Sequence, residues 1–199
     1  MSAVTIFVEG SADAKFIKDL VAKYYQIDLI IKADVQFFKG KDNWYNIAPD
    51  FRKSTLENKT NLLIFDADDT QAIRREGILA KGQELGLSFE VFLLPDDKGP
   101  GDLESLLEIL VPESTKPIIN CFDSYESCLA GLDFDVFPND RKTKIYAYTK
   151  SLAWLKRRKG DPDPAKEENR DYLDADIWNL DSNALSPLLN FLSPYFKNQ

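Results

Sequence analysis

Short apolar runs that end abruptly in polar residues recur along the first half of the chain. They cover residues 4–8, 34–38, 61–65 and 88–94, and a charged residue or a proline follows each of them. The run Leu62-Leu63-Ile64-Phe65 is continuous rather than alternating, which is typical of a strand buried on both faces of a parallel sheet. The pattern therefore predicts four buried strands.

Stretches with helical periodicity separate the predicted strands. Residues 12–25 carry apolar side chains at helical spacing, from Phe16 to Tyr24, and helices are also predicted over 44–57 and 70–85. Strands that alternate with helices of this length favour right-handed crossovers and a parallel sheet. The predicted fold is therefore α/β and Rossmann-like, with a mostly parallel four-stranded sheet and helices on both faces.

The second half of the chain is predicted to be helical. Helical patterns cover residues 103–110, 118–132 and 141–156, and an amphipathic segment extends from Leu185 to Leu192. Two parts are therefore predicted, namely an α/β core over residues 1–112 and a helical extension over residues 113–199 that packs on the core.

A basic run stands between these last helical patterns. Lys156-Arg157-Arg158-Lys159 is typical of a solvated helix end, where positive charge suits the helix dipole, although such a run could also contact phosphates. The Asp-Pro pairs over residues 161–164 predict a mobile loop after it.

Two aspartates follow the predicted third strand. Ligands gather outside the carboxyl ends of parallel strands, and residues i and i+2 of an extended chain point the same way, so Asp66 and Asp68 are expected to converge. Two like charges ~4 Å apart at an effective dielectric near 20 repel by roughly 4 kcal/mol. A divalent cation, a shared proton or a basic side chain would relieve this repulsion. The alternative interpretation is a polar loop with both acids in water.

Further acids are expected at the same edge of the sheet. Glu9 ends the first strand, Asp13 lies in the first turn of the helix after it, and Glu104 lies in the first turn of a later helix that Asp102 could cap. Together with the two aspartates, they predict an oxygen-ligand cage for one or two Mg²⁺ or Mn²⁺ ions.

The most informative feature of the composition is that the chain contains no histidine. This excludes Ser-His-Asp and Cys-His nucleophilic systems, zinc bound by histidine, and histidine general bases. Oxygen-only ligation favours Mg²⁺, Mn²⁺ or Ca²⁺. The formal net charge of −8 does not by itself favour nucleic-acid binding, because phosphate contacts dominate that affinity, but bound metal ions can neutralise an acidic site.

The remaining features concern thiols and location. Cys121 and Cys128 form no metal-binding pair motif and are predicted to be buried thiols. No apolar run is long enough to span a membrane, and the start of the chain lacks the features of a signal peptide. The expected location is therefore the cytoplasm, without a membrane partner. The sequence gives no indication of the oligomeric state.

At this point the sequence resembles a known family. The segment Val8-Glu9-Gly10-Ser11-Ala12-Asp13, followed by Ile64-Phe65-Asp66-Ala67-Asp68, resembles the Toprim domain, which has a glutamate after its first strand and Asp-x-Asp after its third. The resemblance covers residues 4–110 and implies a Toprim-like fold with Glu9, Asp66 and Asp68 as metal-binding and catalytic residues.

Within this superfamily the chain looks most similar to the OLD-family nuclease-like branch and to a small stand-alone bacterial Toprim-like family of unassigned function. That branch implies further acids at Asp13 and Glu104 and a lysine on a later helix, for which Lys144 is the first candidate and Lys142 the second. The implied activity is metal-dependent phosphoryl transfer on DNA or RNA, of the nuclease type.

Two other functions remain open. The chain has no P-loop, whereas OLD-family nucleases carry an ATPase domain, so it could be a non-catalytic binding module that works with a separate ATPase. The segment Phe65-Asp66-Ala67-Asp68-Asp69-Thr70 also resembles the first motif of haloacid-dehalogenase phosphatases, in which Asp66 would be the nucleophile. That motif normally opens its fold, and here two predicted strand-helix units precede it.

Overall fold

A computed structural model describes residues 4–25, 33–38, 43–136, 140–156, 160, 162–163 and 165–196. The elements are β1 (Val4–Val8), α1 (Ser11–Tyr25), β2 (Ala33–Phe37), α2 (Trp44–Leu56), β3 (Thr60–Asp66), α3 (Gln71–Leu85), β4 (Glu90–Leu94), α4 (Leu103–Ile109), α5 (Lys116–Ala130), α6 (Arg141–Lys156) and α7 (Ser186–Phe196). Two short 3₁₀ helices, Glu167–Asn169 and Asn183–Leu185, precede α7. These bounds lie close to those that the sequence predicts. Residues 157–159, 161 and 164, on which part of the predicted basic run and of the Asp-Pro loop falls, lie outside the described residues.

The four strands form one parallel sheet in the order β2-β1-β3-β4. Val8 at the end of β1 is in register with Phe37 of β2 and with Ile64 of β3. The carboxyl ends of the two central strands therefore lie side by side, which brings Glu9 next to Asp66. The predicted α/β class, with a four-stranded parallel sheet and flanking helices, is confirmed.

Alternate residues of the strands enter two hydrophobic cores, one on each face of the sheet. Ile6, Ile64 and Phe92 face the core that includes α1 and the C-terminal helices. Phe7 and Leu63 face the core formed with α2 and α3. Because both faces are covered, the strands lack polar alternation, which is why they are continuous apolar runs in the sequence.

The C-terminal part of the chain packs directly on α1. Trp178, Leu185 and Leu188 are fully buried in the same core as residues of α1. The Tyr24 hydroxyl also donates a hydrogen bond to the Leu180 carbonyl oxygen at 2.6 Å. The extension is therefore part of the packing that holds α1 in place on the sheet.

The two thiols are not where the sequence predicts them. Cys121 and Cys128 are both exposed, so the predicted burial is wrong. Ile119 is the buried residue of α5, and Cys121 lies two positions later on a helix, which turns its side chain to the opposite side. Cys128, seven positions further on, shares the outward face with Cys121.

Within the described residues, no helix is both long and apolar enough to cross a membrane.

Candidate functional site

Three acidic residues from three different elements come together at the carboxyl end of the sheet. Asp13 lies in the first turn of α1, Asp66 is the last residue of β3, and Glu104 lies in the first turn of α4. Asp13 and Glu104 are 8% and 3% exposed, although charged side chains are rarely this buried without a partner. The structure thus brings together three of the acids that the sequence predicts for one site.

Asp13 is held by the turn that follows β1. Its Oδ2 accepts a hydrogen bond from the backbone N–H of Gly10 at 2.8 Å, which fixes the carboxyl group at the start of α1. Burial raises the pKa of Asp13 to about 7, and the nearby carboxylates of Glu104 and Glu9 add to the rise against the effect of the Gly10 hydrogen bond.

Asp66 connects the end of β3 to the start of α4. Its Oδ1 accepts a hydrogen bond from the backbone N–H of Leu103 at 3.0 Å. Burial raises the pKa of Asp66 to about 8, and repulsion from Asp13, Glu9 and Glu104 contributes. The Asp66 side chain therefore retains its proton near neutral pH unless a cation enters the site.

Glu104 completes the buried group. α4 begins after Asp102, whose side chain accepts a hydrogen bond from the Ser105 N–H at 2.7 Å. The predicted helix cap at Asp102 is therefore confirmed, and Glu104 lies in the first turn of the helix. Burial raises the pKa of the Glu104 carboxyl group, while the positive charge of Lys142 opposes that rise. Three carboxyl groups thus share a space in which ionisation is unfavourable.

Arg74 binds the two remaining predicted acids. Its Nη2 donates a hydrogen bond to Oε1 of Glu9 at 2.5 Å, and its Nε lies 3.6 Å from Oδ2 of Asp68. The guanidinium group also lies over the Phe65 ring, 5.5 Å from its centre. In the structure, therefore, a basic side chain already contacts Glu9 and Asp68, whereas Asp13 and Glu104 are buried and Asp66 is partly buried.

Asp68 does not continue the strand direction of Asp66. β3 ends at Asp66, and Asp68 has a φ of +53°, in the left-handed region that few residues other than glycine adopt. Its backbone forms a two-way bridge with Gly101, at 3.0 Å and 2.9 Å. The expected extended backbone through Asp68 is therefore wrong, because the chain turns after Asp66, and the Asp68 side chain remains half exposed.

The two candidate lysines occupy different surroundings. The Nζ of Lys144 contacts Asp123 at 2.7 Å, and Glu126 and Glu108 at 3.4 Å and 3.5 Å, so it joins α6 to α5 and α4. Burial lowers the pKa of Lys142, but the surrounding carboxylates, Glu104 foremost, raise it above its ordinary value. Lys142 is therefore the lysine that interacts electrostatically with the buried acids.

Two residues of the C-terminal extension approach this site, and the sequence analysis missed both of them. Arg170 is 2% exposed and lowers the pKa of Glu104 through its charge. Tyr172 is fully buried, and burial raises its pKa to about 12. No motif marks either residue, because they follow an irregular segment far along the chain; an isolated arginine among acidic residues gives no sequence signal of burial.

The donor chemistry at this site matches a hard divalent cation. Asp13, Asp66 and Glu104 all offer carboxylate oxygen, and burial together with mutual repulsion raises the pKa values of Asp13 and Asp66. Among the described residues, however, no group of three or more cysteine or acidic side chains is arranged to hold a metal ion as the side chains stand. A cation would therefore bind with side-chain movement, in which Arg74 and its two carboxylate partners are the nearest candidates to take part.

Comparison with known proteins gave one match. A family model described as "Protein of unknown function (DUF3226)" matches residues 4–197, which is nearly the whole chain. No curated protein and no solved structure matches significantly.

Proposed function

The chain belongs to the DUF3226 family. We propose that this protein is a Mg²⁺- or Mn²⁺-dependent phosphoryl-transfer enzyme that acts on nucleic acid in the manner of a nuclease. The observation that carries this proposal is the meeting of Asp13, Asp66 and Glu104, from three elements, in one buried site at the carboxyl end of the sheet. The resemblance of residues 4–110 to Toprim domains supports the same function.

The physical argument is that the site, as it stands, is electrostatically unfavourable. Buried carboxyl groups that repel one another either hold protons or bind a cation, and the raised pKa values of Asp13 and Asp66 reflect the first state. A divalent cation would relieve the repulsion and release these protons. Residues that cost stability in this way occur most often where they serve a function.

The protein's own groups have separable tasks in the proposed reaction. Asp13, Asp66 and Glu104 would hold one or two ions, and the Gly10 and Leu103 amides keep Asp13 and Asp66 oriented. A bound ion supplies polarisation of a phosphoryl oxygen and a more acidic water molecule. Lys142, which carries a positive charge beside these acids, would stabilise the charge that develops on the phosphate.

A nicking assay on supercoiled plasmid with Mg²⁺ or Mn²⁺ tests the activity. The wild type is expected to nick the plasmid, and the Asp66→Ala and Glu104→Ala variants are expected to lose this activity. Glu113→Ala serves as the control because Glu113 is an exposed acid that pairs with Lys116, outside the site. Equal nicking by the wild type and Asp66→Ala would assign the activity to a contaminant and refute the proposal.

One observation favours a second candidate, the binding module without catalysis. Arg74 already lies between Glu9 and Asp68, and its charge acts there as a cation would. In a module that binds a partner such as a separate ATPase, Arg74 would stay paired with Glu9 and Asp68, and no metal ion would replace it. The wild type would then show neither nicking nor a rise in melting temperature with Mn²⁺, whereas bound metal stabilises a folded enzyme by mass action.

A further inference from the structure

Buried donors without partners are concentrated beside the acidic site. Among the described residues, the buried side-chain nitrogen and oxygen atoms that lack a hydrogen bond are Asn61 Oδ1, Arg170 Nε, Arg170 Nη1 and the Tyr172 hydroxyl. All but the first belong to the two residues of the extension that approach Asp13 and Glu104. Buried polar groups are nearly always paired in native proteins, so such a concentration requires a reason.

The missing partner must be an acceptor. A guanidinium group has only donors, and the Tyr172 hydroxyl has a donor to offer. Burial raises the pKa of the Tyr172 hydroxyl, and the charge of Arg170 and a side-chain hydrogen bond with it oppose that rise, although the contact falls outside strict hydrogen-bond geometry. The buried Arg170 Nε and Nη1 atoms therefore lack a well-formed acceptor, next to the site proposed for metal binding.

A cleft gives access to Arg170. It has a volume of about 390 Å³, lies at the start of α6, and is lined by Arg170, Lys142, Thr143 and Tyr146 among others. The volume is sufficient for a phosphate group with part of a nucleoside. Because Lys142 also interacts with Asp13 and Asp66, the cleft opens next to the acids rather than elsewhere on the surface.

Acidic residues on the cleft wall limit what can bind there. Asp140 also lines the cleft, but its Oδ1 accepts hydrogen bonds from the N–H and the hydroxyl of Thr143, both at 2.7 Å. Glu168 is exposed, whereas Glu167 is partly buried and, after Glu104, is the carboxylate that most raises the pKa of Lys142 against the effect of burial. Both carboxylates line the cleft and would repel a long polyanion. The charges therefore favour one phosphoryl group that reaches inward over a nucleic-acid backbone that runs across the cleft.

The residues that carry the donors are firmly held. The Tyr172 N–H donates to Oδ2 of Asp19 at 3.3 Å, and the Tyr172 ring packs edge-on against Phe16, with the centres 5.2 Å apart. Trp178 contacts the same ring from another side, at 5.7 Å. Arg170, two residues earlier, is thus held against α1, and a preordered donor set binds an anion without the cost of ordering it.

We propose that Arg170, Tyr172 and Lys142 form a subsite for the terminal phosphoryl group of a nucleotide-containing substrate, beside the Asp13, Asp66 and Glu104 site. Guanidinium donors match phosphate oxygens in geometry and charge. This inference rests on the proposed function and narrows its substrate to nucleic acid with a terminal phosphate, a feature that a closed plasmid does not present. Binding at the subsite requires no metal, so it can be measured apart from cleavage.

The experiment measures binding by calorimetry in the presence of a chelator, with three ligands in turn. They are inorganic phosphate, a 5′-phosphorylated dinucleotide, and the same dinucleotide without its phosphate. The first two are expected to bind the wild type and the third is not, which separates terminal phosphate from the phosphodiester. Equal binding of both dinucleotides would overturn the inference.

Two substitutions locate the binding. Arg170→Lys keeps the charge but loses the guanidinium geometry, and it is expected to weaken phosphate binding about tenfold. Tyr172→Phe removes only the hydroxyl beside Arg170, and it is expected to weaken phosphate binding about threefold. Arg141→Gln is the control, because Arg141 pairs with Asp102 and does not line the cleft.

The outcomes of binding and cleavage are distinguishable. If phosphate raises the melting temperature of every variant equally, the effect is that of a stabilising salt and the subsite is refuted. If Arg170→Lys only lowers the melting temperature and Tyr172→Phe binds as the wild type does, Arg170 is a structural counter-charge and the subsite is equally refuted. Phosphate binding that depends on Arg170, in a protein that never nicks DNA, would support the subsite and refute the nuclease proposal.

Discussion

The Nη2 atom of Arg74 lies 2.5 Å from the Oε1 atom of Glu9, joining α3 to the end of β1. The same Glu9 oxygen accepts a hydrogen bond from the Asp66 N–H at 3.3 Å. Both side chains are largely shielded from solvent, at 17% exposure each, so this contact neutralises one carboxylate at the edge of the acidic site.

Removal of this guanidinium should therefore increase the affinity of the site for metal. Arg74→Gln removes the positive charge from beside Glu9 and Asp68, and we expect a larger rise in melting temperature with Mn²⁺ than the wild type shows. Without metal, the loss of a charged hydrogen bond should lower the free energy of unfolding by about 1–3 kcal/mol. The measurement is thermal unfolding across a Mn²⁺ titration.

A neighbouring residue provides the control for this prediction. Arg75→Gln removes the same charge one position along α3, where the side chain pairs with Asp97 instead. Its metal response should equal that of the wild type. An unchanged Mn²⁺ response in Arg74→Gln would show that Arg74 and a cation do not compete.

The stability of the metal-free protein should fall as the pH rises from about 5 to 8. The folded-state pKa values of Asp13 and Asp66 are raised to about 7 and about 8 from the ordinary value of 3.8, so in this window the folded state binds more protons than the unfolded state. Each such group contributes a slope of up to about 1.4 kcal/mol per pH unit. Chemical denaturation in a chelating buffer measures it.

Substitution identifies the source of this slope. Asp66→Asn should flatten the curve and stabilise the protein most at pH 8. Asp96→Asn should give a curve parallel to that of the wild type, because backbone hydrogen bonds, with Gly99 foremost, lower the pKa of Asp96 and keep it ionised throughout the window. A wild-type curve that rises between pH 5 and 8 would contradict the burial of these acids.

The turn that carries Asp68 should tolerate no side chain at Gly101. Gly101 has a φ of +143°, and a Cβ there would lie 2.7 Å from Ser105 Oγ and 2.8 Å from Pro95 Cδ. Gly101→Ala is therefore expected to lower the free energy of unfolding by about 1–3 kcal/mol and to weaken the Mn²⁺ response, because Gly101 bridges Asp68.

The matched control for this prediction lies inside α3. A Cβ at Gly77 would have no heavy atom within 4 Å, so Gly77→Ala should raise the free energy of unfolding by about 0.5–1 kcal/mol. Urea denaturation of both variants measures the difference. If both substitutions had the same effect, the close contacts at Gly101 would not limit the turn.

Substitution of Lys144 should affect stability, whereas substitution of Lys142, on the same helix, should affect activity. Lys144→Met leaves Asp123, Glu108 and Glu126 without their shared cation, and we expect the free energy of unfolding to fall by about 1–2 kcal/mol. Lys142→Met should lose metal-dependent nicking, whereas Lys144→Met should keep it. Thermal unfolding and the nicking assay, run on both variants, test the pair; the reversed pattern would return the catalytic role to Lys144.

The sequence by itself determined the layers of this fold and the positions of most of its acids. Apolar runs such as Leu62 to Phe65 are long enough to require burial on both faces, and this requirement fixes a parallel sheet whatever the details of packing. Glu9 and Asp66 each follow such a run directly, so their place at one edge of the sheet follows from the strand ends alone.

Only the tertiary structure decided which groups share a site and which neutralise one another. Arg74 is one of several arginines and lysines on polar helix faces, and its contact with Glu9 depends on how α3 packs on the sheet. The direction of Asp68 depends on its bridge to Gly101, and the burial of Arg170 depends on the extension folding back onto α1. Side-chain pairs between distant segments depend on three-dimensional packing, which leaves no periodic trace in a single sequence.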